Sequence, residues 1–133
     1  MLFSKNCLQK DYKGYLIIKK INFNKGFYNM SDKRNNIKDN IKLVQDKNDA
    51  IIFASSSGKN GYFNNLVLLK LNDEIIIQKS NVNFHYIIKE IYLEKKDGNI
   101  KINKSKDEKI IVLTTDSPGK RGYQLIIIGI FVY

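Results

Sequence analysis

The chain has 133 residues, a formal charge of +10, one cysteine (Cys7) and one histidine (His85). That length suits one domain with one core. A lone thiol and a lone imidazole exclude an internal disulfide and a Cys/His zinc set, so neither a metal nor another cofactor is expected. Of the basic residues all but Arg34 and Arg121 are lysine, which weakens a nucleic-acid reading, because phosphate and base recognition favour arginine's planar fork.

Residues 1–12 read as an N-terminal extension. The opening MLFSKNCLQKDYK is too polar for a signal peptide, and no run in the chain reaches the roughly 18 apolar residues that a membrane-crossing helix needs. Beyond it, short runs rich in Ile, Val, Tyr and Phe are separated by Asn, Asp, Gly and Lys. That pattern predicts an all-β fold rather than amphipathic helices. Strands are expected over Tyr15 to Ile21, Ala50 to Ala54, Glu74 to Lys79, Asn83 to Glu94, Lys109 to Thr115 and Tyr123 to Tyr133. The last is apolar at successive positions (Leu125, Ile126, Ile127, Ile128), as a strand covered on both faces is.

Two segments read as short helices. In Lys33 to Ile41 the apolar pair Ile37 and Ile41 is four apart. In Tyr62 to Leu69, Phe63, Leu66, Val67 and Leu69 are placed to cap the end of a barrel. The lysine-rich Lys95 to Lys109, with Ile100 and Ile102 as its only apolar points, reads as a long surface connection.

Taken in order, five segments resemble the sortases, the Gram-positive transpeptidases that cut a surface protein at an LPxTG-like signal and join it to an amine. GYLIIKKINFNKGFY (Gly14 to Tyr28) is similar to the opening "G-x-L-x-I-P-K-I" strand pair, with Lys19 in the proline place. AIIFASSSGKNGYFNNLVLLKLNDEIII (Ala50 to Ile77) contains the strand, the histidine-bearing turn, the "F-x-x-L" helix and the "L-x-x-G-D-x-I" segment, with Asn72 for glycine and Asp73 retained. FHYIIKEIYL (Phe84 to Leu93) resembles the "Y-x-Y-x-V-x-E-I" strand. IVLTTDSPGKRGYQLIIIGIFV (Ile111 to Val132) resembles the "T-L-x-T-C" strand, its loop and the closing "R-L-V-V-x-G" strand. The resemblance implies a single closed β-barrel of about eight strands with one or two short helices.

It also implies where the chemistry would sit. The family's cysteine place falls on Asp116 and its histidine place on Ser56, with Ser55 or Ser57 reached by a shift of one. Its arginine falls on Gln124 or, three residues earlier, on Arg121. Ser57, Thr115 and Ser117 would complete the groove. A carboxylate attacking an amide would give an anhydride, a poorer acyl intermediate than a thioester, and serine does not titrate near neutrality. The resemblance therefore implies a degenerate site that binds a sorting-signal-like peptide or a surface protein. Asp116 would favour an amine-bearing ligand there.

Two other readings stand beside it: an enzyme of altered chemistry using Asp116 and a serine, and a basic module holding an anionic wall polymer or nucleic acid through Lys95 to Lys109. His85 lies within a strand and Cys7 ahead of the first, so neither is expected to act in catalysis. The family works at the extracytoplasmic face of the membrane. Without an anchor in this sequence, a cytoplasmic place stays open.

Overall fold

The computed structural model describes residues 11–57, 61–96, 107–117 and 119–133. Eight strands run in chain order: β1 (Gly14–Ile18), β2 (Phe23–Phe27), β3 (Lys42–Lys47), β4 (Ala50–Ala54), β5 (Glu74–Lys79), β6 (Val82–Lys95), β7 (Ile110–Asp116) and β8 (Tyr123–Phe131). They form one sheet in the order β2-β1-β5-β6-β8-β7-β4-β3, rolled into the expected barrel and nearly closed. Every pairing is antiparallel except that of β4 with β7, which is parallel.

Alternation along the strands separates two buried sets. Leu16, Phe27, Phe53, Ile75, Ile88, Leu113 and Ile127 fill the barrel interior. Ala50, Ile52, Ile110, Val112, Ile126 and Ile128 form a second cluster on the outer face of β4, β7 and β8. These three strands are thus buried on both faces, which is why the last strand reads as a nearly unbroken apolar run.

The turns follow from residues that tolerate a left-handed backbone. Ser80 and Asn81, at φ 49 and 65°, make a two-residue hairpin between β5 and β6, the primed geometry that matches strand twist. Asn72, in the glycine place of the resemblance, has φ 76°. Asparagine enters that region at lower cost than other side chains, so the departure from glycine keeps the turn.

Three expectations are corrected and one strand is added. The strand expected over Tyr15 to Ile21 stops at Ile18 and tightens into a 3-10 turn over Lys19–Ile21, closed by Asn22 at φ 52°. No helix forms over 33–41. There the amides of Asn35, Asn36 and Asn40 bond to backbone groups, and this local competition is what disfavours asparagine in helices. The helix expected over 62–69 shrinks to a 3-10 turn at Leu66–Leu68. Phe63, Leu66 and Leu69 are buried at the three-residue spacing of that geometry, whereas Val67 and Leu68 are each 56% exposed and Val67 caps nothing. Strand β3 had no expectation, since KLVQDK alternates around a single buried residue, Leu43. The lysine-rich connection, apart from its ends, lies outside the described residues.

The ladder ends on β2 and β3, and side chains bridge the gap. The Lys25 ammonium on β2 donates to Asn40 Oδ1 at 3.0 Å, and the rings of Phe27 on β2 and Phe53 on β4 meet edge to face at 4.9 Å. On the free edge of β3 the buried Asn35 acts as a strand residue would. Its amide accepts from Leu43 N–H at 2.6 Å and donates to Leu43 C=O at 3.0 Å. Asn35→Ala leaves both buried backbone groups unpaired, and urea denaturation should show a loss of about 1–3 kcal/mol.

The same segment is tied down by Arg34, stacked 4.3 Å over the Tyr28 ring and forked onto Asp32 at 2.8 and 3.0 Å. Those bonds hold the Asp32 carboxyl at about 2, against an ordinary 3.8. The folded-state value is depressed, so the stabilisation is whole above pH 3.8 and is lost as pH falls through about 2. An NMR titration of Asp32 should find its midpoint near 2, rising toward 3.8 in Arg34→Ala.

Candidate functional site

Because β4 and β7 are parallel, the chain leaves both at the same end of the barrel, and β8, antiparallel to β7, begins there. The register pairs Ala54 with Thr114 and Asp116 with Gln124. Residues 55–57, Asp116 and Gln124 therefore converge on one end, with Arg121 in the loop between β7 and β8.

Within that end the candidates differ sharply. Ser55 is buried; its N–H donates to Thr114 C=O at 3.3 Å and its hydroxyl to Asn40 C=O at 3.5 Å, so it belongs to the scaffold. Ser56 is exposed, and its carbonyl accepts from Phe63 N–H at 3.0 Å, which ties the apolar plug formed by Phe63, Leu66 and Leu69 to the end of β4. Ser57 is half-buried. Thr115 points the other way from Asp116, as strand alternation requires. It is 5% exposed, and its buried hydroxyl has no hydrogen-bond partner among the described residues. Gln124 accepts the Thr114 hydroxyl through Oε1 at 3.0 Å.

Asp116 is exposed, but its carboxylate is engaged: the Lys96 ammonium, just past the end of β6, lies 2.6 Å from Oδ1. Lys96 is placed there by its own backbone, whose N–H donates to Gly122 C=O at 2.9 Å and so extends the β6–β8 ladder by one step. Gly122, at φ 84°, turns the loop where a side chain would be strained. The Ser117 N–H donates to Tyr123 C=O at 2.9 Å and closes the loop's base.

Asp116, Ser117 and Arg121 share a cleft of about 480 Å³ with Lys96, Lys120 and Tyr123. Ser56, Ser57, Thr115 and Gln124 do not line it. The Lys120 ammonium sits 3.9 Å from the centre of the Tyr123 ring. Three cations thus face one carboxylate already paired, and an amine-bearing ligand would have to displace Lys96. Sequence reasoning missed Lys96. It stands in a lysine-rich stretch where nothing marks one lysine from the next, and only the pairing of β6 with β8 carries it across to β7.

His85 is near the start of β6, remote from this end, and its Nδ1 is 2.8 Å from Glu74 Oε2; this is a surface pair on two neighbouring strands. Cys7 lies outside the described residues. Among the described residues no group of three His, Cys, Asp or Glu could hold a metal ion, and no helix is long and apolar enough to cross a membrane.

By sequence the chain matches no family model and no curated protein. By structure it is similar to sortases of class C. The lid mutant of Streptococcus agalactiae sortase C1 superposes with a TM-score of 0.76 at 19% identity, over 93% of this chain and 71% of that one. Sortase C-1 of Actinomyces oris gives 0.77 at 16% identity, over 99% and 80%. Clostridium perfringens sortase C, in a structure with the C-terminal cell wall sorting motif, gives 0.76 at 20% identity, over 92% and 71%. The chain has the sortase fold.

The unpartnered Thr115 hydroxyl yields a test of the site's interior. Thr115→Val keeps the shape and removes a desolvated hydroxyl, so thermal denaturation should show stability unchanged or raised by up to about 1 kcal/mol. A loss of that size would mean that the hydroxyl bonds to something in solution.

Proposed function

We propose that this sortase-fold chain is a binding module without transpeptidase activity, whose groove at the Ser56, Asp116 and Gln124 end holds a peptide or a protein partner at the bacterial cell surface. The observation that carries the reading is the pair between Lys96 and Asp116. In the place the resemblance gives to the nucleophile stands a carboxylate whose electron pairs are directed at an ammonium.

Covalent cleavage of an amide needs a nucleophile able to form a reactive acyl intermediate and a group that protonates the leaving amine. Asp116 would give an anhydride, and Ser56 has no titration near neutrality. The donors that remain, Arg121 and the side-chain amide of Gln124, suit the holding of carbonyl groups rather than their attack. A peptide occupant is supported by the neighbour from Clostridium perfringens, whose structure includes a sorting motif, and a cell-surface place by the sortase fold.

The test combines inactivity with restoration. An LPxTG peptide incubated with the chain and an amine acceptor should remain intact by mass spectrometry, with no acyl adduct on the protein; turnover or an adduct would refute the reading. Asp116→Cys with Ser56→His should then gain a measurable thioester adduct with the same peptide if these two positions are the family's cysteine and histidine places, as the reading holds.

A further inference from the structure

The end of the barrel opposite Asp116 has no part in this reading, and it is concave. Among the described residues its walls come from the β3–β4 hairpin (Lys47, Asn48), the end of β5 (Lys79), the start of β6 (Phe84, Tyr86), Lys109 just ahead of β7, and Phe131 at the end of β8. The cavity is about 220 Å³, and its floor is the core itself, Ile51 and Ile77, which are 5% and 2% exposed. At the other end Phe63, Leu66 and Leu69 pack against the core.

The lining separates by chemistry. One wall is aromatic, with Phe131 in contact with Phe84 at 6.2 Å, Tyr86 at 5.5 Å and Tyr133 at 4.8 Å between ring centres. Such a wall accepts a flat or apolar body against its faces and edges. The rim is cationic. Lys47, Lys79 and Lys109 line it beside one acid among the described residues, Asp46, and that acid is paired with Lys13 and, at 3.6 Å, with Lys79. Asp49 and Glu108, in the flanking turns, have interactions of their own.

The Lys109 ammonium stands 5.6 Å from the Phe131 ring centre and 5.8 Å from that of Tyr133, so a cation is held at the top of the aromatic wall. Burial, with Asp46 adding to it, pushes the Tyr86 phenol up. It therefore stays protonated near neutrality and adds a hydrogen-bond donor rather than a negative charge.

An apolar floor and an aromatic wall below a cationic rim are how small amphipathic anions are held: the body is removed from water and the charge stays at the edge. We propose that this barrel mouth is a binding site for a small anion with an apolar body, an aromatic or short-chain carboxylate of one or two rings' bulk. The volume is below the range usual for drug-sized ligands, which limits the body to that size, and the ring contacts favour an aromatic one. The site is separate from the Asp116 cleft.

The probe is 2-naphthoate, with 2-naphthalenemethanol and 2-naphthylmethylammonium as its neutral and cationic counterparts, titrated into the full chain and followed by amide NMR. Saturable shifts are expected at Asn48, Ile51, Phe84 and Phe131 with naphthoate, an affinity about tenfold lower with the alcohol, and none with the cation. Lys109→Glu and, separately, Lys47→Glu should each weaken naphthoate about tenfold or more while the remaining spectrum is kept, which shows that the fold persists. Lys120→Glu, at the far end, should change nothing. The proposal is overturned by an absence of saturable shifts, by equal binding of the ammonium probe, or by shifts confined to the residues around Asp116.

Discussion

The parallel pairing of β4 with β7 is the constraint on which the rest of this structure depends. Parallel neighbours cannot be joined by a tight turn, so the chain that follows β4 must cross from the end of the barrel where β4 finishes to the end where β7 begins. On the way it supplies the apolar plug, the β5–β6 hairpin and the long β6. The same pairing places the ends of β4 and β7 side by side, and the antiparallel β8 starts beside them. A site at this end is thus a product of topology, whatever residues occupy it.

The cost of this arrangement is borne by the outer face. β4, β7 and β8 each have a strand on either side and are buried on both faces, which is why Val112, Ile126 and Ile128 are as enclosed as Leu113 and Ile127. Two strands at the ends of the order are left with open edges. An exposed edge invites pairing with another chain, and here the free edge of β3 is met by the side-chain amide of Asn35, which exchanges both hydrogen bonds with Leu43 as a neighbouring strand would. The seam is joined by side chains, and this lets the segment between β2 and β3 remain a series of turns.

The two ends of the barrel have been put to different chemistry. At the Asp116 end the polar groups are satisfied largely by one another: Lys96 with Asp116, Thr114 with Gln124, Lys120 on Tyr123. At the opposite end aromatic side chains wall an open cup floored by Ile51 and Ile77, and the ammonium groups stay at the rim. The two ends differ in their apolar lining rather than in the sign of their charge: among the described residues cations outnumber acids at both, but only the opposite end sets them over an apolar floor and a wall of aromatic rings.

What the sequence determined by itself was the set of strands that are buried and their order. Alternating or continuous runs of Ile, Val and Phe have only one way to leave water, and the spacing of Asn and Gly marks where the chain can reverse. The resemblance carried by VLTTD and QLIII singled out Asp116 and Gln124, which the β7–β8 register pairs. Only the tertiary structure decided three other matters. Helical spacing at Ile37 and Ile41 lost to asparagine side chains that bond their own backbone, and β3, with one buried residue, became a strand because β4 offered it an edge. Asp116 acquired Lys96 because strand pairing brings together residues twenty positions apart. Local pattern cannot register such long-range pairing, since a lysine that closes an ion pair across three strands reads the same as one that faces water.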